Sequence, residues 1–153
     1  MYLVRRIVVG VEMPQAHPWD AANLEVPTMA AVQQAFRLAQ NSRIPLTLVS
    51  VLPEPKPDWF ESAEHAEADN RTATAEANAV LKTLAYQYLE IRSPGTAASV
   101  DYVVRNGRPW HELLHVSRNQ PDVLILCGTR STGALSRALF GSTGLKQIGR
   151  AHV

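Results

Sequence analysis

At 153 residues the chain is one domain long and large enough for a substantial hydrophobic core. With 46% apolar and 19% charged residues it has an ordinary globular composition, and its single cysteine, Cys127, excludes a disulfide framework and a cysteine cluster for zinc. A formal net charge of +1 gives no basis for general attraction to nucleic acid or to an anionic membrane.

The chain opens with Arg5 and Arg6 ahead of a five-residue apolar run that ends at Val11. That run is too short for a signal peptide or a membrane span, so a cytoplasmic location is expected. Residues 6–12 read as a first buried strand ending in the acidic Glu12. Residues 13–27 contain Pro14, Pro18 and Pro27 and no clear period, which predicts a loop. Thr28 is placed to cap a helix running to Ser42, with Met29, Val32, Phe36 and Ala39 on one face.

A second strand is predicted over 46–52, ended by the alternating prolines Pro53, Pro55 and Pro57. Such prolines can serve as a docking ligand, but between two regular elements they read as a stiff surface loop. Trp59 and Phe60 just beyond are expected to cover the core. A long helix follows over 62–89, its buried stripe formed by Ala73, Ala77, Val80, Leu81, Leu84 and Tyr88. Ser93-Pro94-Gly95 stops it. Residues 99–104 read as a third strand, and Asn106-Gly107-Arg108-Pro109 turns into a helix over 110–119, with proline suited to its first turn.

The fourth strand, 123–127, is apolar throughout and bounded by Asp122 and Gly128, as expected for a strand buried on both faces. Behind it comes a loop rich in small residues. Gly128, Gly133 and Gly141 allow backbone N–H groups to approach an anion, and Ser142-Thr143 stand where a helix should open. Helix N-termini of this kind bind phosphate. Strands alternating with helices predict an α/β fold, a doubly wound open parallel sheet with helices on both faces and right-handed crossovers. In such sheets ligands sit at the carboxyl ends of the strands, where the strand order reverses. The loops after the first and fourth strands both lie there.

A rival motif lies on the third helix. His111-Glu112-Leu113-Leu114-His115 spells H-E-x-x-H, in which two histidines hold zinc and the glutamate acts as general base. A zinc hydrolase is therefore a remote alternative. At about 100° per residue, Trp110, Leu113, Leu114 and Ser117 share the buried face, which turns His111, Glu112 and His115 toward solvent. The only acid downstream of His115 is Asp122, and His152 is the only further histidine. His17 and His65 fall in polar surroundings and read as surface residues. None of Ser131, Ser136 and Ser142 sits in a nucleophile elbow, and Cys127 reads as a small core residue.

The last six residues, Ile148-Gly149-Arg150-Ala151-His152-Val153, match the translation of a common sequencing-adapter oligonucleotide, ATC GGA AGA GCA CAC GTC. The expected division is a domain over 1–147, cut short at its C-terminus, and a non-native tail over 148–153. Without Arg150 the remaining basic residues equal the 14 acidic ones.

From Arg6 to about Gln147 the sequence resembles the universal stress protein family, as a UspA-like domain of its ATP-binding branch. The family signature G-x2-G-x9-G-[ST] overlays Gly128, Ser131, Gly141 and Ser142 with the spacing intact. Gly107-Arg108-Pro109 followed by Glu112-Leu113-Leu114 resembles the turn and helix that precede the nucleotide loop, which reassigns the H-E-x-x-H letters to a family helix.

The resemblance implies five parallel strands in the order 3-2-1-4-5, with the fifth missing here by truncation. It implies ATP as ligand, with or without Mg²⁺, a homodimer or a tandem-domain pairing in the full-length protein, and a regulatory or stress-response role without catalysis. By position, Gly10, Val11 and Glu12 line the adenosine side, Glu12 standing where the family has Asp, and Val51 touches the adenine. Cys127 and Gly128 form the near wall. Thr129, Arg130, Ser131, Gly141, Ser142 and Thr143 surround the phosphates, and Gly133 helps the loop close. Three departures matter: Glu12 adds a methylene, Ser131 replaces the second signature glycine, and Ser50 takes the place of a common His. Between Val123 and Gln147 the charged residues are Arg130, Arg137 and Lys146, all basic, which favours a polyphosphate. No Walker lysine is present. The alternative from a different class is a dimerisation or interaction module of the same fold that binds no nucleotide.

Overall fold

The structure is a computed structural model describing residues 4–55, 62–92, 99–118, 120–128, 139–140 and 146–147. Its four main strands are β1 (Arg6–Gly10), β2 (Leu46–Leu52), β3 (Val100–Asn106) and β4 (Val123–Cys127), all parallel and ordered 3-2-1-4. Between them run α1 (Val26–Ser42), α2 (Ala63–Ile91) and α3 (Pro109–Ser117). The doubly wound parallel sheet expected from the alternation is present.

Period-2 alternation in buried strands sends successive side chains to opposite faces. On one face Ile7 and Val9 of β1, Leu46 and Leu48 of β2 and Leu126 of β4 pack with Val32, Phe36 and Ala39 of α1 and with Val80, Leu84 and Tyr88 of α2. On the other, Val8, Val49, Val123 and Ile125 pack with Leu113 of α3. Each fully buried aliphatic side chain contributes about 1.5–3 kcal/mol relative to exposure, so the α1–α2 face, with more of them, dominates stability. The α1 stripe and Val80, Leu81, Leu84 and Tyr88 of the predicted α2 stripe face this core, while Ala77 is buried and Ala73 is only half-buried.

Three local expectations are corrected. Thr28 does not cap α1: the helix starts at Val26, Pro27 sits in its first turn, and Thr28 is buried. Proline's fixed φ and missing N–H suit that turn, so the helix starts ahead of it rather than behind it. The third strand runs past Val104 to Asn106, because Ser50, Val51 and Leu52 of β2 continue to offer it backbone partners.

The third correction concerns the end of the chain, where the expected absence of further strands does not hold; the helix start expected at Ser142 lies outside the described residues. Two short strands occur there, β5 (Leu139–Phe140) and β6 (Lys146–Gln147). β6 lies parallel to β4, opposite Leu124 and Ile125, and β5 lies antiparallel to β6. The outer edge of β4 carries backbone N–H and C=O groups that need partners, and two extended residues supply them where a helix could not.

Strand entries are held by specific contacts. Asp122 adopts the left-handed conformation (φ 57°), which aspartate tolerates better than most residues. Its carbonyl accepts from the Arg5 N–H at 2.8 Å, and its carboxylate lies 3.4 Å from the Arg5 guanidinium, which sets β4 beside β1. At the other end of the sheet Gly107 N–H donates to Leu52 O at 2.9 Å, and Asn106 Nδ2 donates to Asn70 Oδ1 at 2.8 Å. These bonds tie the ends of β2 and β3 to α2.

Candidate nucleotide site at the strand ends

The strand order reverses between β1 and β4, and there the register places Gly10 opposite Cys127. At such a switch point the candidate crevice is expected where both strands end. Six expected site residues lie among the described ones: Gly10, Val11, Glu12, Val51, Cys127 and Gly128. Thr129, Arg130, Ser131, Gly133, Gly141, Ser142 and Thr143 lie outside the described residues.

The structure brings Gly10, Glu12, Cys127 and Gly128 together. Val11 is different. Its N–H donates to Val49 O at 2.7 Å and its side chain is buried in the α1–α2 core, leaving only its backbone at the strand end. Val51 is half-buried on the α3 face, one strand farther from β4 than β1 is. Glu12 is exposed beyond the end of β1, and its charge is felt at the Cys127 thiol. Burial first, and then the Glu12 carboxylate, push that thiol up to about 11. Both effects disfavour a thiolate, so Cys127 is a protonated wall residue at neutral pH rather than a nucleophile.

The two glycines at the crevice have structural reasons that spacing did not reveal. A Cβ on Gly128 would collide with the Pro27 carbonyl and lie 2.7 Å from Thr28 N, so the first turn of α1 passes against Gly128. A Cβ on Gly10 would lie 3.2 Å from Leu113 Cδ1 and 3.5 Å from the Cys127 Cβ. The crevice is therefore framed by three elements besides the strands: the loop after β1, the start of α1, and Leu113 of α3. The position of Leu113 on the apolar face of α3 was the one signal in the sequence for the last of these.

The H-E-x-x-H helix is arranged otherwise. His111 and His115 are exposed, as its periodicity predicts, but Glu112 is not turned to solvent. Its Oε1 accepts from Arg105 Nε at 3.2 Å, and its Cγ and Oε2 would lie 3.1 and 3.2 Å from a Cβ placed on Gly107 (φ +143°). The carboxylate is thus engaged as a structural partner of the β3–α3 turn. Among the described residues no three His, Cys, Asp or Glu side chains are grouped to hold a metal ion. Nor is any helix among them long and apolar enough to cross a membrane.

The fold defines a class, the doubly wound α/β domains whose parallel sheet is ordered 3-2-1-4. The universal stress protein family model matches residues 4–153, and the chain belongs to that family. The match extends through the six residues that resemble an adapter translation. Universal stress proteins of Mycobacterium bovis and Mycobacterium tuberculosis are each 29% identical to it over 157 aligned positions. The alignment covers 95% of this chain but 45% of each relative, so the chain spans about half the length of the curated relatives it matches. Among solved structures, UspA from Lactobacillus plantarum is similar in fold, with a TM-score of 0.55 at 19% identity, covering 92% of this chain and 89% of that one.

Proposed function

We propose that this domain binds an adenine nucleotide, ATP with or without Mg²⁺, in the crevice between β1 and β4, and that it acts by reporting nucleotide state rather than by turnover. The observation that carries this reading is the meeting of Gly10 and Glu12 with Cys127 and Gly128 at the switch point, in a chain whose next residues keep the family's glycine spacing. The exposed Glu12 carboxylate stands at the strand end as an acceptor suited to nucleoside hydroxyl or amino groups. Phosphates would fall to Thr129, Arg130, Ser131, Gly141, Ser142 and Thr143, with Gly133 between them. Cys127, held protonated, offers no nucleophile to a phosphoryl group. In the full-length protein the domain pairs with a second copy or with a second domain, in line with relatives about twice its length.

Titration of the full-length protein with ATP and Mg²⁺ tests the reading directly. Saturation in the micromolar to millimolar range is expected, and Gly141→Val should abolish it by blocking backbone approach to phosphate. No saturable binding at millimolar ATP would overturn it. One observation favours a second reading, a nucleotide-free interaction module. Gly128 is already required by the start of α1 and Gly10 is favoured by the closeness of Leu113, so their presence does not by itself demand a ligand. In that case the oligomeric state would be insensitive to ATP.

A further inference from the structure

The loop between β1 and α1 is held at both ends by the crevice. It begins beside Glu12, whose charge reaches Cys127, and ends at Glu25, where α1 starts and the Pro27 carbonyl in its first turn faces Gly128. Between these ends it does not stand free. Trp19 packs on the α1–α2 core with Met13, Ala21 and Leu24, and a 3₁₀ turn (Ala21–Asn23), capped by Asp20 Oδ1 accepting from Ala22 N at 3.0 Å, packs beside α2. The His17 ring stacks on Trp19, with centroids 4.4 Å apart and planes 22° from parallel. His17 Nδ1 lies 2.7 Å from Glu76 Oε2, on the middle of α2. Trp19 also walls a cleft of about 260 Å³ with Leu52, Pro53 and Asn70, so the loop rests against the end of β2 as well.

We propose that His17, Trp19 and Glu76 form a clasp that positions the β1–α1 loop, and through it Glu12 and the first turn of α1, for nucleotide binding. The proposal rests on the nucleotide reading above and adds α2 as the element that sets the crevice. A loop fixed only at its ends samples many conformations, and ordering it upon binding would reduce affinity. The clasp orders it beforehand. His17 and Glu76 are positioning residues, because neither side chain lies at the crevice.

The test uses the full-length protein, with hydrogen exchange of residues 13–25 and ATP affinity measured on the same samples. Glu76 is partly exposed, so its replacement leaves the core intact. Glu76→Ala should speed exchange across 13–25 and weaken ATP binding about two- to fivefold, the range one exposed side-chain hydrogen bond can supply. Glu76→Gln keeps an oxygen and an N–H in reach of the ring nitrogen and should restore both readouts. Faster exchange with unchanged affinity would overturn the proposal, as would unchanged exchange in Glu76→Ala. Wild-type protein that binds no ATP would overturn the nucleotide reading, and the clasp's role with it. That outcome is recognisable because it needs no variant.

Discussion

Two places in this chain carry letters of a known chemistry, the strand ends around Gly10 and Gly128 and the helix with His111, Glu112 and His115. Their environments are opposite. At the strand ends Gly10 lies opposite Cys127, the first turn of α1 passes against Gly128, and an acidic side chain stands exposed beside a protonated thiol. On α3 the two histidines face solvent, and the glutamate between them is occupied by Arg105 and by the Gly107 turn. A motif's letters name the side chains that a chemistry needs. Only their surroundings show whether those side chains remain available for it.

The comparison breaks most clearly at Gly128. Gly128→Val would drive a branched side chain into the Pro27 carbonyl and Thr28 N, where backbone rather than a flexible side chain must yield. Destabilisation of at least about 3 kcal/mol is expected, at or beyond the usual overpacking range, and chemical denaturation measures it. At Gly10 the neighbour is a leucine side chain that can rotate, so Gly10→Ala should cost about 1 kcal/mol by the same measurement.

Alkaline pH probes the Cys127 wall. The folded thiol titrates near 11, above its ordinary value of 9.0. Above pH 9 the unfolded chain therefore loses its proton first, and the stability present below pH 9 falls as pH rises toward 11. A loss on the order of 2 kcal/mol is expected over that window, and Cys127→Ala should flatten the profile by that amount. A thiol that reacts rapidly with iodoacetamide at pH 7 would contradict the wall assignment.

The α3 side should respond less. Glu112→Ala removes a partly exposed pair with Arg105 and should cost about 1 kcal/mol or less in thermal unfolding. His115→Ala should leave both stability and ATP affinity at wild-type values, because the side chain is exposed and remote from the crevice. Retention of stoichiometric zinc after dialysis, lost in His115→Ala, would reverse the ranking of the two motifs.

Much of the fold was legible because its elements are strongly patterned. The apolar runs of β1, β2 and β4 and the helical stripe of α2 lie where period and length placed them. The start of α1 was misread because Thr28 has the chemistry of a cap, whereas Pro27 has the geometry of a first turn. Glu112 was misread because helical phase places it near the solvent side, and phase takes no account of an arginine on a neighbouring strand. The clasp had no local signal at all, since His17 and Glu76 lie 59 residues apart.

By itself the sequence determined the α/β alternation, the parallel sheet and the family signature, all of which follow from residue periodicity and local spacing. Tertiary structure alone decided which glycines are crowded by neighbouring elements, which carboxylate is engaged by an arginine, and what holds the loop after β1. Those outcomes depend on contacts between residues far apart in the chain, and only the packing of helices on the sheet brings such residues together.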